Sequence, residues 1–431
     1  MEGDSPQQLR NNFWWMAVCF SVNHGVVTTP LVLTVPLLGK DIGNIGNGML
    51  YVFTLLSALL MAAPITSTVG PKKSMMAAMS LYCVYVTCFA ISVLVKAQTS
   101  LVWIIFLFGS TCGGLAAGVL WTAQGGYFAS STNAIVEATG EDRQAVTGTL
   151  SGQFAAIYLI GEVGSKLGFT FLQKVNVQPW QAGFVYAGLG TMALLGMMPA
   201  RDFHTSNPGA APRPLDKVGA AVSLWRDPLI WLLSPTNLTF GFSAAFMNSY
   251  VNATFASEEL GKSVVTFLAA ITALSAAMLS PVYGRVSKTV GKGPTITAGA
   301  VCFLLIPCCI LLLGCCSGWG WFLIVLYLLQ GSGRAVYEST NRAMFADFFT
   351  GPATDGAFAN CMLQSSLSFA LCFFLQTALA GTTLALIVLV LAILTPFSYF
   401  LALRVRERRR IKLEALGLVN DGAGVERSAG A

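Results

Sequence analysis

Five ionisable side chains lie in stretches otherwise too apolar to hold them: His24, Glu162, Lys166, Arg334 and Glu338. Each costs several kcal/mol in hydrocarbon unless it is paired or hydrated, so such groups are candidate functional residues by default. Arg334 and Glu338 stand one helical turn apart, and Arg342 follows after another four residues. This spacing lets Glu338 neutralise either arginine on one helix face. The chemistry on offer is a cytoplasmic gate, or an arginine that receives an anionic substrate; the alternative is a permanent ion pair bracing the helix. Gln330 lies one turn earlier, near the middle of its segment. Glu162 and Lys166 repeat the four-residue spacing in a Gly-rich segment. If Lys166 moves away, Glu162 can accept a proton; if the two stay paired it stays ionised and couples nothing.

His24 falls 11 residues after Phe13, roughly 16 Å along a helix at 1.5 Å per residue. Asn23 precedes it, Gly25 follows, and Thr28, Thr29 and Pro30 come next. Gly and Pro there can free backbone carbonyls, and interrupted helices line the substrate site in many carriers. The alternative is a kinked packing helix whose histidine bonds a neighbour. His24 joins Glu162 as the second candidate for proton coupling. Asn23, His24, Thr28, Trp121, Gln124, Asn237, Gln330, Arg334 and Glu338 are therefore the expected substrate-binding residues. For Trp121, anchoring at a membrane interface is the competing reading.

Nothing in the chain reads as an enzyme or a metal protein. It has no GxxxxGK[ST], no HExxH and only two histidines, so neither a nucleotide pump nor a hydrolase is expected. None of the 11 cysteines forms a CxxC pair. Cys302, Cys309 and Cys316 recur every seven residues with Cys308 and Cys315 beside them, a pattern that suits small apolar packing groups. No cofactor is expected.

The elements that position these residues follow from the scarcity of charge. Only 10% of the 431 residues are Asp, Glu, Lys or Arg, and 55% are hydrophobic. An ordinary soluble domain carries about a quarter charged residues. Basic residues form no stripe, so nucleic acid is not an expected partner. The stretches 97–136 and 356–403 are free of charge, and a bilayer-spanning helix needs about 20 apolar residues. The whole chain then divides into twelve spans, near 13–38, 48–68, 74–96, 101–128, 148–172, 181–199, 229–252, 263–283, 295–313, 319–340, 357–379 and 382–403. With the termini on one side, that side receives 19 of the 25 Lys and Arg residues, counted along the sequence. The positive-inside rule places it in the cytoplasm. The first apolar segment is too long for a signal-peptide core. Asn252-Ala253-Thr254 is a glycosylation candidate at the outer end of the seventh span, whereas Asn237-Leu238-Thr239 lies inside it.

Two halves share a design. Thr68-Val69-Gly70 precedes Pro71, Lys72 and Lys73; Thr289-Val290-Gly291 precedes Lys292, an offset of 221 residues. Each copy follows the second span of its half. The expected division is a cytoplasmic N-terminus over 1–12, a six-helix half over 13–199, a linker over 200–228, a second half over 229–403 and a basic tail over 404–431. Pro208, Pro212 and Pro214 give the linker the composition of an irregular segment. The spacing Gly284-x-x-x-Lys288-Thr289-Val290-Gly291-Lys292 resembles the loop motif of the major facilitator superfamily, although an acidic residue is usual at Lys288. The first copy keeps Gly70, Lys72 and Lys73 but carries Ala63 and Ser67 where Gly and an acidic residue are usual. Gly70-Pro71-Lys72 ahead of Tyr82 and Tyr85, with Leu120-Trp121-Thr122-Ala123-Gln124-Gly125-Gly126-Tyr127-Phe128, resembles the uncoordinated-93-like branch. The resemblance implies an all-α membrane protein of two pseudo-symmetric six-helix halves, with loop motifs that bias conformation. It implies a small solute and the bilayer as partners. The alternative within the branch is a non-transporting regulator that associates with another membrane protein, a channel or a receptor.

Overall fold

The computed structural model describes residues 5–203, 214–312, 318–351 and 353–415. Cys315, Cys316, Pro208, Pro212 and the tail beyond 415 lie outside the described residues. The first half runs α1 (Pro6–Leu38), α2 (Lys40–Val69), α3 (Pro71–Leu94), α4 (Thr99–Thr139), α5 (Arg143–Lys174) and α6 (Pro179–Gly196). The second runs α7 (Pro228–Glu259), α8 (Lys262–Thr289), α9 (Lys292–Leu312), α10 (320–348), α11 (Ala353–Ala378) and α12 (Gly381–Ala415). Ten of these rods are long and apolar enough to cross a membrane. The other two are α6, diluted by Gly and Gln, and α10, which carries Arg334, Glu338 and Arg342. The arrangement is consistent with the expected twelve spans. Hydrocarbon leaves backbone groups no partner but their own helix, which is why the chain takes this form.

Two expectations need correction. The linker is not wholly irregular, because Pro214–Ser223 forms a helix with proline at its start. It packs on α11, where Asn360 Nδ2 donates to Ala221 O at 2.9 Å and Trp225 Nε1 donates to Asn360 Oδ1 at 2.9 Å. The tail is not separate either: α12 continues through the basic run, and Arg409 pairs with Asp227 at 2.8 Å.

Close packing is carried by glycine where two rods touch. In α4, Gly114 and Gly118 face α2, and a Cβ on Gly118 would press into Ser57 Oγ and the Ala58 amide. The glycines of α5 are not all used in this way. Gly161 lies against Ser21 of α1 and Gly168 meets Tyr186, but Gly148, Gly152 and Gly164 face open space. Steps of four residues drift about 40° on a 3.6-residue helix, so one stripe cannot stay on one neighbour. Gly70 and Gly291 both take positive φ, 86° and 92°, at the ends of α2 and α8. The duplicated motif thus places a positive-φ glycine at the same helix junction in each half.

The halves meet mainly at the face opposite the termini. There Thr170 of α5 hydrogen-bonds Thr266 of α8 at 2.7 Å, and Asn252 of α7 donates to Val32 O of α1 at 3.3 Å. Deeper, the ring of Tyr51 on α2 stacks on Phe369 of α11 at 4.2 Å. On the terminus-bearing face, four ion pairs each join elements of a single half: Arg10–Glu141, Lys73–Asp202, Lys292–Asp347 and Arg409–Asp227. Wide π-helical turns interrupt α2 at Ser57–Met61, α7 at Met247–Ala256 and α10 at Tyr337–Asn341.

Gly118→Val should destabilise the protein by about 1–3 kcal/mol through overpacking. Gly148→Ala should leave it unchanged. Thermal melts of the two purified variants against wild type decide this, and equal melts would refute the assigned α2–α4 contact.

Candidate functional site

A cavity of about 920 Å³ lies between the halves, walled by α1, α2, α4 and α5 on one side and α7, α8, α10 and α11 on the other. At one end it reaches Val32 and Leu50, which are buried beneath the closed face. At the other it reaches Gly125, Ser151 and Arg342, which are exposed. The cavity therefore opens on the terminus-bearing face.

Its centre is an ionic cluster that joins the halves. Arg334 of α10 donates through both terminal nitrogens to the two carboxylate oxygens of Glu162 on α5, each at 2.9 Å. Lys166 Nζ donates to Glu162 Oε1 at 2.7 Å and reaches Thr28 Oγ1 at 3.5 Å. Arg334 Nε donates to Glu338 Oε1 at 2.7 Å. Glu162 and Lys166 are only 4% and 3% exposed. The two-pronged geometry matches guanidinium to carboxylate and is the strong form of such a bond. The two acids and two bases cancel, which is what makes their burial tolerable. The four-residue spacings expected from the sequence are present, with Glu338 paired to Arg334 and not to Arg342. The bridge between Glu162 and Arg334 was not visible in the sequence, because its members stand 172 residues apart.

An aromatic wall rises beside the cluster. His24 stacks on Phe20 at 5.8 Å, meets Trp121 edge-on at 5.3 Å and shares a 3.2 Å hydrogen bond with Tyr158. Tyr158 lies one turn before Glu162 on α5. Thr28, Trp121, Gln124 and Gln330 also line the cavity, Gln330 accepting from Ser243 Oγ at 2.7 Å. Of the expected binding residues, His24, Thr28, Trp121, Gln124, Gln330, Arg334 and Glu338 are brought together.

Several others are not. Asn23 is fully buried against α3 and α6, donating to Gly190 O at 3.2 Å. One residue round the helix from His24 means a turn of about 100°, and that turn takes Asn23 out of the cavity. Asn237 is likewise buried, bonded to Gln364 at 2.7 Å and to Asn341 at 2.9 Å within the second half. The glycosylation candidate Asn252 is 1% exposed and accepts from Tyr327 at 2.6 Å, so no glycan can reach it in this arrangement. Nor is α1 interrupted at Gly25 and Pro30. Gly25 instead admits the α5 backbone, for a Cβ there would lie 2.8 Å from Gly161 O. The loop motifs sit away from the cavity: Lys72 donates to Met198 O at 2.6 Å, Lys292 to Ala343 O at 3.1 Å, while a Cβ on Gly284 would face open space and Lys288 is exposed. Among the described residues no group of His, Cys, Asp or Glu could hold a metal.

Sequence reasoning missed Tyr51, Tyr82, Tyr158, Phe240, Tyr337 and Phe369 in the lining. Aromatic residues are everywhere in such a chain, and only Tyr158 carried a signal, its one-turn spacing from Glu162.

Arg334→Gln should cost about 3–5 kcal/mol, because it leaves a buried carboxylate short of a partner. Adding Glu338→Gln should recover much of that loss, since Glu162 and Lys166 then remain as one balanced pair. Melts of the single and double variants would overturn the assignment if their losses simply add.

The sequence model of the Major Facilitator Superfamily matches residues 238–419. Protein unc-93 homolog A of Bos taurus is 24% identical over 380 residues, 79% of this chain and 81% of that protein. The human Protein unc-93 homolog A is 26% identical over 248 residues, so the match spans 56% of this chain and about half, 54%, of that relative. The crystal structure of the nucleoside transporter NupG superposes with a TM-score of 0.64 at 14% identity, covering 92% of this chain and 99% of that one. At that identity the likeness speaks for the fold alone. These findings bear out the resemblance read from the sequence: the protein is a multi-pass membrane protein, similar to the Major Facilitator Superfamily over residues 238–419 and to uncoordinated-93-like relatives, with a fold like that of NupG.

Proposed function

We propose that the protein is a secondary transporter, gradient-driven or facilitative, that moves a small solute by alternating access. The observation that carries this reading is a cavity between two six-helix halves, open at one face and closed at the other. The distribution of basic residues supports a cytoplasmic open face, and on that reading the conformation is inward-open. In the opposite state the α5–α8 and α1–α7 contacts part and the halves close over the terminus-bearing face. Gly70, Lys72, Lys73, Gly284, Lys288, Gly291 and Lys292 then act on that equilibrium and not on solute choice. A second reading, a non-transporting partner of another membrane protein, draws on the ionic bridge itself, which would brace the halves in one state.

The two readings separate in liposomes. Cysteines replacing Thr170 and Thr266 should cross-link on oxidation, stop solute exchange and release it on reduction. Exchange that continues through a complete cross-link would defeat alternating access. Proton coupling through Glu162 or His24 has its own expectation: an imposed pH gradient drives uptake, and Glu162→Gln or His24→Gln abolishes the drive while sparing exchange. Wild-type uptake indifferent to the gradient rules it out.

A further inference from the structure

Five fixed charges line the cavity: Glu162, Lys166, Arg334, Glu338 and Arg342. Four of them neutralise one another. The fifth, Arg342, makes no ion pair among the described residues and is exposed at the mouth. The fixed charges of the lining therefore sum to one net positive charge. Arg334, Glu338 and Arg342 follow at four-residue steps along α10, so Glu338 stands between two arginines and is bound to the inner one. Arg334 uses its two terminal nitrogens on Glu162 and only its Nε edge on Glu338. Beside this ladder His24, Trp121 and Tyr158 form an aromatic corner, His24 and Tyr158 each meeting Trp121 edge-on.

We propose that the cavity takes a planar organic monoanion, an aromatic ring bearing one carboxylate. The ring lies in the His24–Trp121–Tyr158 corner. The carboxylate takes the Nε edge of Arg334 as Glu338 swings to Arg342, so the Arg334–Glu338 pair is exchanged for two new ones and the number of ion pairs rises by one. With one negative charge bound, the fixed charges and the ligand sum to zero; a cation in the same place would raise the total to two in a low-dielectric site. A ring adds stacking and edge contacts that a small aliphatic anion cannot make. This inference deepens the transport reading and rests on it only for movement of the ligand across the membrane, not for binding.

The test uses the purified full chain and four probes: indole-3-acetate, its neutral amide, tryptamine and plain acetate. Calorimetry and thermal melts should give binding of indole-3-acetate at least tenfold tighter than of the other three. Arg342→Gln should weaken it at least tenfold, and Arg342→Lys should retain it. Glu338→Gln removes the competing carboxylate, so it should tighten the anion and leave the amide unchanged. A merely structural Glu338 would not produce that split. Equal binding of the amide or of tryptamine overturns the proposal, as does a Glu338→Gln variant that folds yet binds the anion no tighter. The same probes in liposomes separate the two readings. Anion that binds without exchanging defeats transport and leaves the ligand class standing; exchange of the neutral amide alone does the reverse.

Discussion

A guanidinium and a carboxylate from opposite halves meet in a setting where neither could be left alone. Arg334 and Glu162 form a two-pronged bond across the interface, and the rest of the architecture can be read as the condition for it. α5 and α10 must face each other across the cavity at a fixed depth. Lys166 and Glu338 must stand one turn away on their own helices to balance the charges. Removing water strengthens the attraction and raises the penalty for any unpaired member in the same measure. The cluster is thus secure as a set and fragile in its parts.

The two faces of the molecule are fastened by different means. The closed face holds the halves together through a pair of threonines, an asparagine on a backbone carbonyl and stacked rings. Such contacts are individually worth about 1 kcal/mol or less. The terminus-bearing face spends its ion pairs inside each half, Arg10 on Glu141 and Lys292 on Asp347 among them. Each half is therefore stiffened as a body, while the contacts between the halves at the closed face are individually weak.

The fold was largely legible because hydrocarbon permits so few alternatives: long uncharged runs must be helices, and scarce charges mark their ends. The ionisable residues at the centre were legible for the same reason, since burying them is costly. What periodicity could not settle was direction. His24 and Asn23 are neighbours in sequence, yet one faces the cavity and the other bonds Gly190 O in the wall. Asn237 looked as polar and as central as Gln330, and only packing against Gln364 and Asn341 decided that it turns away. The pairing of Glu162 with Arg334 joins segments that no local rule connects. The aromatic wall was hidden by abundance, for Phe, Tyr and Trp occur throughout the apolar runs.

The wide turn at Tyr337–Asn341 separates Arg334 from Arg342 along α10. A π turn is to a helix what a dislocation is to a crystal: one extra residue, locked into an otherwise regular lattice. A dislocation can glide. If this one moves a turn along the rod, only the residues it passes change register, by roughly 1.5 Å and 100°, and both ends of the rod stay where they are. Glu338 lies inside that segment. The helix could therefore re-aim one carboxylate without being displaced as a whole, a local gearing that needs no movement of one half against the other.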